Sequence, residues 1–318
     1  MDFRVYGFNS DLYDQMLYDM EKAEESLFLE VFIFRDDALG RKIRNILTRK
    51  AKAGVEIKML LDSFGSFPVP KDFFSGILEF GCEIRYFHRF KLFPWLLNKI
   101  HHRDHQKILV IDKKIAFASS ANIEEESAGR RECTIRIQEP QAALALALLF
   151  QENFFQANQG TFDPKKAGKV IRTEHFEIIR DVPSRHVALV RDRTIDLIRR
   201  AQKEILIENL YICTEKIVLQ QLTRAAERGV DIKLVIPSEN EIPIMNILNK
   251  KYMAKAARRG IDVRLYLPGY LHSKLMIVDK AVCMLGSANL DYRSLFLQFE
   301  LMLVSRHPDL IEALGKHF

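Results

Sequence analysis

At 318 residues the chain is long enough for two domains of ordinary size. Hydrophobic residues at 48% and charged residues at 28%, with no low-complexity or Pro/Gly/Ser-rich stretch, exclude a disordered or fibrous protein. The 48 basic against 42 acidic side chains leave a formal charge of +6, a mild lean toward phosphate-bearing partners that does not separate nucleic acid from an anionic membrane.

In chain order, the opening MDFRVYGFNSD lacks the basic and apolar regions of a signal peptide. Residues 25–34, ESLFLEVFIF, form a short apolar run rich in β-branched and aromatic residues, the pattern of a buried strand. An amphipathic helix follows over about residues 40–53, and Gly54 suits its C-cap. VEIKMLLD (55–62) and GCEIRYF (81–87) are the next two strands, and HQKILVID begins at 105. The longest smooth apolar stretch, 142–150, is far too short to span a bilayer, so membrane contact is expected to be peripheral.

Past a Gly/Pro/Lys-interrupted segment at 156–169 the series repeats: EILIENLYIC (204–213), a helix over about 215–228 ending at Gly229, VDIKLVIP (230–237), GIDVRLYL (260–267) and HSKLMIVD from 272. Strands alternating with helices, twice over, predict an α/β protein. It is expected to hold two similar domains related by pseudo-twofold symmetry, each a mixed or parallel sheet flanked by helices, over residues 1–160 and 161–318. The four cysteines lie far apart with no CxxC pair, which argues against a zinc knuckle or a disulfide framework and places the chain in a reducing cytoplasm.

The repeat carries chemistry. His105, Lys107, Asp112, Ser120, Asn122 and Glu132 in the first copy answer to His272, Lys274, Asp279, Ser287, Asn289 and Glu300 in the second, with equal offsets up to the Asn. On a strand, residues two apart share a face, so each His and Lys project together toward a shared cleft. The Asp stands at an odd offset and is expected to be structural. A lone His on an apolar strand is ordinarily a structural histidine, and a lone Ser-Ala-Asn an ordinary turn; duplication of the whole set favours function.

Two His, two Lys, two Ser and two Asn make a donor-rich site without a metal cage, suited to a phosphate diester. Lys and amide donors hold the non-bridging oxygens, one imidazole attacks phosphorus, and the other protonates the leaving oxygen. Each late Glu is expected to accept a ring N–H from the His of its own copy, fixing its tautomer. No metal and no cofactor are expected.

HxKxxxxD repeated in one chain, each followed by SxN, resembles the phospholipase D superfamily over nearly the whole chain. Residues 286–300, GSANLDYRSLFLQFE, are similar to a stretch of bacterial cardiolipin synthases, as are DDALG (36–40), LLDSFGS (60–66) and RAAERGVDIKLVIP (224–237). The resemblance implies a metal-independent transfer through a phosphohistidine, with His105 as nucleophile and His272 as general acid and then base. The sequence departs from the family pattern at Ser119, where Gly is usual, at Gln298 (often Asn), at Gln106 (commonly Arg) and at Glu132 (commonly Asp). The N-terminal transmembrane helices of many cardiolipin synthases have no counterpart in this sequence.

The copies differ most before the first His: Gly81 to His105 spans 24 residues, and Gly260 to His272 only 12. The extra segment holds Phe90, Phe93, Trp95 and Leu96 among Arg89, Lys91, Lys99 and Arg103, a composition suited to binding a membrane surface. A loop packed on its own body is the alternative.

The expected function is therefore a phosphatidyltransferase of the cardiolipin-synthase type. It would act on anionic phospholipid from the cytoplasmic, inner face of a membrane, with no nucleic-acid partner and a monomer sufficient for the site. The alternatives are a phospholipase D or nuclease-type phosphodiesterase, which would show a continuous basic groove and salt-sensitive nucleic-acid binding, and a non-catalytic lipid-binding scaffold, against which the two intact residue sets speak.

Overall fold

A computed structural model describes residues 1–67, 69–70, 72–87, 102–157, 168–184, 187–213 and 216–318. The Phe90, Phe93, Trp95 and Leu96 segment lies outside the described residues. The chain divides into two compact units. One comprises Met1–Gly129 and Thr134–Asp163, the other Arg130–Cys133 and Pro164–Phe318. The four residues Arg130–Cys133 thus go with the second unit, an exchange that a single cut of the chain does not provide.

The first unit runs β1 (Asp2–Phe8), α1 (Asn9–Glu21), β2 (Ser26–Val31), α2 (Ala38–Lys52), β3 (Glu56–Asp62), α3 (Ser75–Leu78) and β4 (Glu83–Phe87). It continues with β5 (Arg103–Asp104), β6 (Ile108–Ile111), β7 (Ile115–Ala118), β8 (Arg131–Gln138), whose first three residues go with the second unit, and α4 (Pro140–Gln156). The sheet order is β1-β8-β7-β6-β2-β3-β4. β2, β3 and β4 are parallel, while β6 is antiparallel to β2 and to β7.

Every residue of β2 is buried, as a strand covered on both faces must be. α2 starts where the Asp37 carboxylate accepts the Gly40 N–H at 2.8 Å and packs Leu39, Ile43, Ile46 and Leu47, one helical stripe, against the core. It stops before Gly54, whose φ of 87° lies in the left-handed region that favours glycine.

The second unit repeats the plan: β9 (Lys169–Arg172), β10 (Phe176–Asp181), α5 (Leu189–Arg200), β11 (Glu204–Glu208), α6 (Lys216–Glu227), β12 (Asp231–Pro237) and α7 (Pro243–Ala257). Then come β13 (Asp262–Tyr266), β14 (Leu275–Val278), β15 (Val282–Gly286), α8 (Tyr292–Leu297), β16 (Gln298–Ser305) and α9 (Pro308–His317). Its sheet path is β13-β12-β11-β14-β15-β16-β10-β9. Read from the other end it matches the first sheet strand for strand, with β9 added at the edge. Each unit has its own apolar core.

Because the motif strands β6 and β14 run antiparallel to β2 and β11, each His enters at the end where the parallel strands finish. Chain leaving β3 or β12 therefore emerges at the same end as the His. Among the described residues no helix is long and apolar enough to cross a membrane.

Candidate active site

The motif His and Lys lie on an extended approach just ahead of the strands, which begin at Ile108 and Leu275. Both histidines are 7% exposed, buried but reachable. In each unit the Lys Nζ donates to the carbonyl oxygen of its own His, at 2.6 Å for Lys107 and likewise for Lys274, so the two residues are fixed as one piece. The Phe32 ring meets His105 edge-on at 5.2 Å, and Tyr270 stacks on His272 at 6.4 Å.

Lys107 and Asn122 line one small void, Lys274 and Asn289 another, each of about 20 Å³, room for a single water. The structure thus brings Lys and Asn together in both copies. Asn122 is set by accepting the Ile33 N–H at 3.3 Å, and Tyr13 donates its hydroxyl to the Asn122 carbonyl at 2.8 Å. Ser120 is fully buried beside them.

Asp112 and Asp279 point away from the His. The Asp112 carboxylate accepts the backbone N–H groups of Glu24, Glu25 and Ser26 at 2.7–3.0 Å. Asp279 does the same for Gln202, Lys203 and Glu204 at 2.7–2.9 Å. Each begins a hairpin turn in which it and the next Lys both take φ of 51–54°, a strained setting for residues with a Cβ that these bonds offset. Burial works to raise the Asp279 carboxyl, but the three N–H groups hold it below its ordinary range.

The glutamates correct the expected pairing. Glu132, expected on His105, has its Oε1 2.8 Å from Nδ1 of His272. The reason is local. Arg131 bridges in parallel to Leu271, its N–H donating to the Tyr270 carbonyl at 2.9 Å and its carbonyl accepting the His272 N–H at 2.8 Å, so the start of β8 lies against the second motif. Sequence offset counted along one copy could not reveal this. Glu300, expected on His272, accepts the Ser287 hydroxyl, while the Nδ1 of His272 faces Glu132.

The departures from the family pattern also have accounts. Gly286 has φ 153°, and a Cβ there would meet the Leu301 carbonyl oxygen at 2.2 Å. Ser119, its counterpart, has no positive φ and bonds Thr134 Oγ1 and the Ala121 N–H. Gln298 accepts the Ser294 hydroxyl at 3.1 Å.

Two buried glutamates escaped the sequence reading, although a Glu at matched positions in two apolar strands was the available signal. Glu30 and Glu208 end the paired registers of β2 with β6 and β11 with β14. Glu30 accepts amide N–H groups from Gln106 at 3.1 Å and Asn153 at 2.8 Å, and it bonds Asp104, which with Gln106 flanks His105. Burial, and after it the neighbouring Asp62 charge, push the Asp104 carboxyl up to about 7, against the lowering effect of the Glu30 and Gln106 bonds. Asp62 is raised too, chiefly by burial, with Arg103 opposing at 3.7 Å.

Glu208 is instead met by Arg131 at 2.7 and 3.1 Å and by His317 Nε2 at 3.2 Å. Burial would raise it, but His317 and then Arg131 outweigh burial and hold it below the ordinary range. Among the described residues no three His, Cys, Asp or Glu converge as a metal site.

The two units share one topology, and each holds a His and a Lys locked together at the same end of its sheet. The family model described as cardiolipin synthase, phospholipase D-like domain, matches residues 16–154 and 194–318, and the chain belongs to that family. It is 30% identical over 316 residues to a cardiolipin synthase of Clostridium perfringens, covering 94% of this chain and 66% of that protein. It is 29% identical over 320 residues to cardiolipin synthase 2 of Bacillus anthracis, covering 97% of this chain and 62% of that one. The chain thus spans slightly under two thirds of the length of these relatives. The fold is also that of a phosphatidylserine synthase from Haemophilus influenzae, with a TM-score of 0.79 at 15% identity over 99% of this chain and 85% of that one.

Proposed function

We propose that the chain is a phosphatidyltransferase of the cardiolipin-synthase type, acting on phosphatidylglycerol through a phosphohistidine. The observation that carries this reading is His272, buried, with the Glu132 carboxylate on Nδ1, an acceptor that orients the ring and stabilises the imidazolium as it forms. Similarity to cardiolipin synthases along 94% of the chain supports the lipid over a nucleic-acid substrate.

In the proposed first step His105 attacks phosphorus, the bond to glycerol breaks, and His272 gives its proton to the departing oxygen. In the second, His272 takes the proton from the hydroxyl of another phosphatidylglycerol, whose oxygen attacks phosphorus and frees His105. Lys107, Lys274, Ser120, Ser287, Asn122 and Asn289 would hold the phosphate oxygens. One chain carries both motifs, so a monomer suffices, peripheral to the inner face of the membrane.

The test is incubation with phosphatidylglycerol vesicles in EDTA, followed by mass spectrometry of the lipids. Cardiolipin and glycerol are expected, and His105→Ala and His272→Ala should each lose roughly a thousandfold or more in rate. Phosphatidic acid alone would make the protein a hydrolase; substantial turnover by either variant would defeat the two-histidine mechanism.

A further inference from the structure

Helix α7 is fastened on one side only. Its inner side is tied by Asn249, which accepts the Ile212 N–H at 3.1 Å and donates to the Leu210 carbonyl at 3.2 Å, by the buried Ala256, and by Tyr252 and Met253 against the core. The outer side carries Ile244 (57% exposed), Ile247 (65%) and Leu248 (36%), preceded by Ile242 (48%). At helical spacing the same stripe continues through Lys251, Lys255 and Arg258, all exposed. It is apolar for its first two turns and basic after them. No acidic residue occurs between Glu241 and Asp262, while Lys250, Lys251, Lys255, Arg258 and Arg259 do.

The apolar end is next to the chemistry. α7 follows β12, so it leaves the sheet at the end where His272 enters. Glu241, one residue before Ile242, is paired with Arg130 at 2.6 Å and bonded through its backbone to Tyr270, the ring stacked on His272. In the first unit the matching connection from β3 to β4 also exposes apolar side chains, Phe64, Phe67, Leu78 and Phe80.

From the apolar stripe, its basic continuation and its tie to His272, we infer that α7 is a membrane-seating helix, its Ile-rich turns entering the headgroup boundary of an anionic phospholipid surface. The basic turns would meet lipid phosphates. The run of five cations with no acidic residue among them, beside an apolar stripe, is the complement of an anionic bilayer. This inference rests on the phospholipid reading of the site and adds where the lipid surface lies relative to His272.

The full chain should be sedimented with vesicles of phosphatidylcholine alone and with phosphatidylglycerol added, alongside turnover of a short-chain soluble phosphodiester. Ile244→Asp with Ile247→Asp should lower partition onto the anionic vesicles by roughly tenfold or more, with melting unchanged because both side chains are exposed, and should spare soluble turnover. Lys251→Gln with Lys255→Gln keeps the apolar turns and should lose roughly fivefold per lysine on anionic vesicles only.

Undiminished sedimentation of the isoleucine variant overturns the inference, as does a change in its oligomeric state without loss of vesicle binding. Wild-type protein that binds vesicles yet turns over no diester would remove the proposed function and leave the seating helix standing.

Discussion

The two units bury the same glutamate and keep it by different chemistry. In the second, Glu208 is an anion matched by Arg131 and His317. In the first, Glu30 accepts the side-chain amides of Gln106 and Asn153 and meets the carboxyl of Asp104. A bond between two carboxyl groups needs a proton on one of them, so the first motif rests on an acid pair where the second rests on an ion pair. A duplicated scaffold thus fixes where a buried charge sits while leaving open what neutralises it.

The largest effect should come from breaking the ion pair. Arg131→Met leaves Glu208 buried beside His317 alone and should cost about 3–5 kcal/mol of stability, measured by denaturant unfolding. Arg131→Met with Glu208→Met should recover much of that loss. Gln106→Met, the nearest equivalent in the first unit, removes a neutral amide and should cost only about 1–2 kcal/mol.

The acid pair should instead show itself through pH. Asp104 faces Glu30 from β2, Asp62 from β3 and Gln106 on its own segment. Asn153 of α4 acts on Glu30, and Arg103 is turned to Asp62. Its folded carboxyl titrates near 7, above the ordinary range, so the folded chain holds the extra proton between about 4 and 7. The stability it contributes is complete below that window and is lost as pH rises to 7. Asp104→Asn, neutral throughout, should gain in melting temperature relative to wild type as pH climbs from 4 to 7; a constant difference would refute the shared proton.

The smallest effect should be nearly equal in the two units. Asp112→Ala and Asp279→Ala each release three backbone N–H groups at exposed turns and should cost about 1–3 kcal/mol, with motif chemistry altered little. A large loss of turnover without loss of stability in either would mean that the Asp does more than hold its turn.

The sequence made the architecture legible because repetition is read without knowing any contact. Both amphipathic helices, the parallel β2-β3-β4 and β11-β12-β13 sets and the placing of His and Lys together follow from periodicity in the matched segments. What could not be read was anything decided by packing. The partner of Glu132 depends on where four residues at the head of β8 come to lie. Glu30 and Glu208 look like interruptions of an apolar pattern until their partners are seen. The exposed stripe of α7 is invisible for the opposite reason: Ile244, Ile247 and Leu248 have the spacing of a core-facing helix, and only the burial of Asn249 and Ala256 on the other side shows that they face outward.

The placement of Arg130–Cys133 sets how this chain can be taken apart. The second unit receives the partner of its histidine and the counter-ion of its buried glutamate from a stretch encoded before the first unit is finished. A fragment beginning anywhere from residue 134 to residue 272 would carry the entire second motif in sequence and lack both Arg131 and Glu132. Genes that shuffle such halves would have to move the boundary to before Arg130, or supply the missing tetrapeptide from another chain.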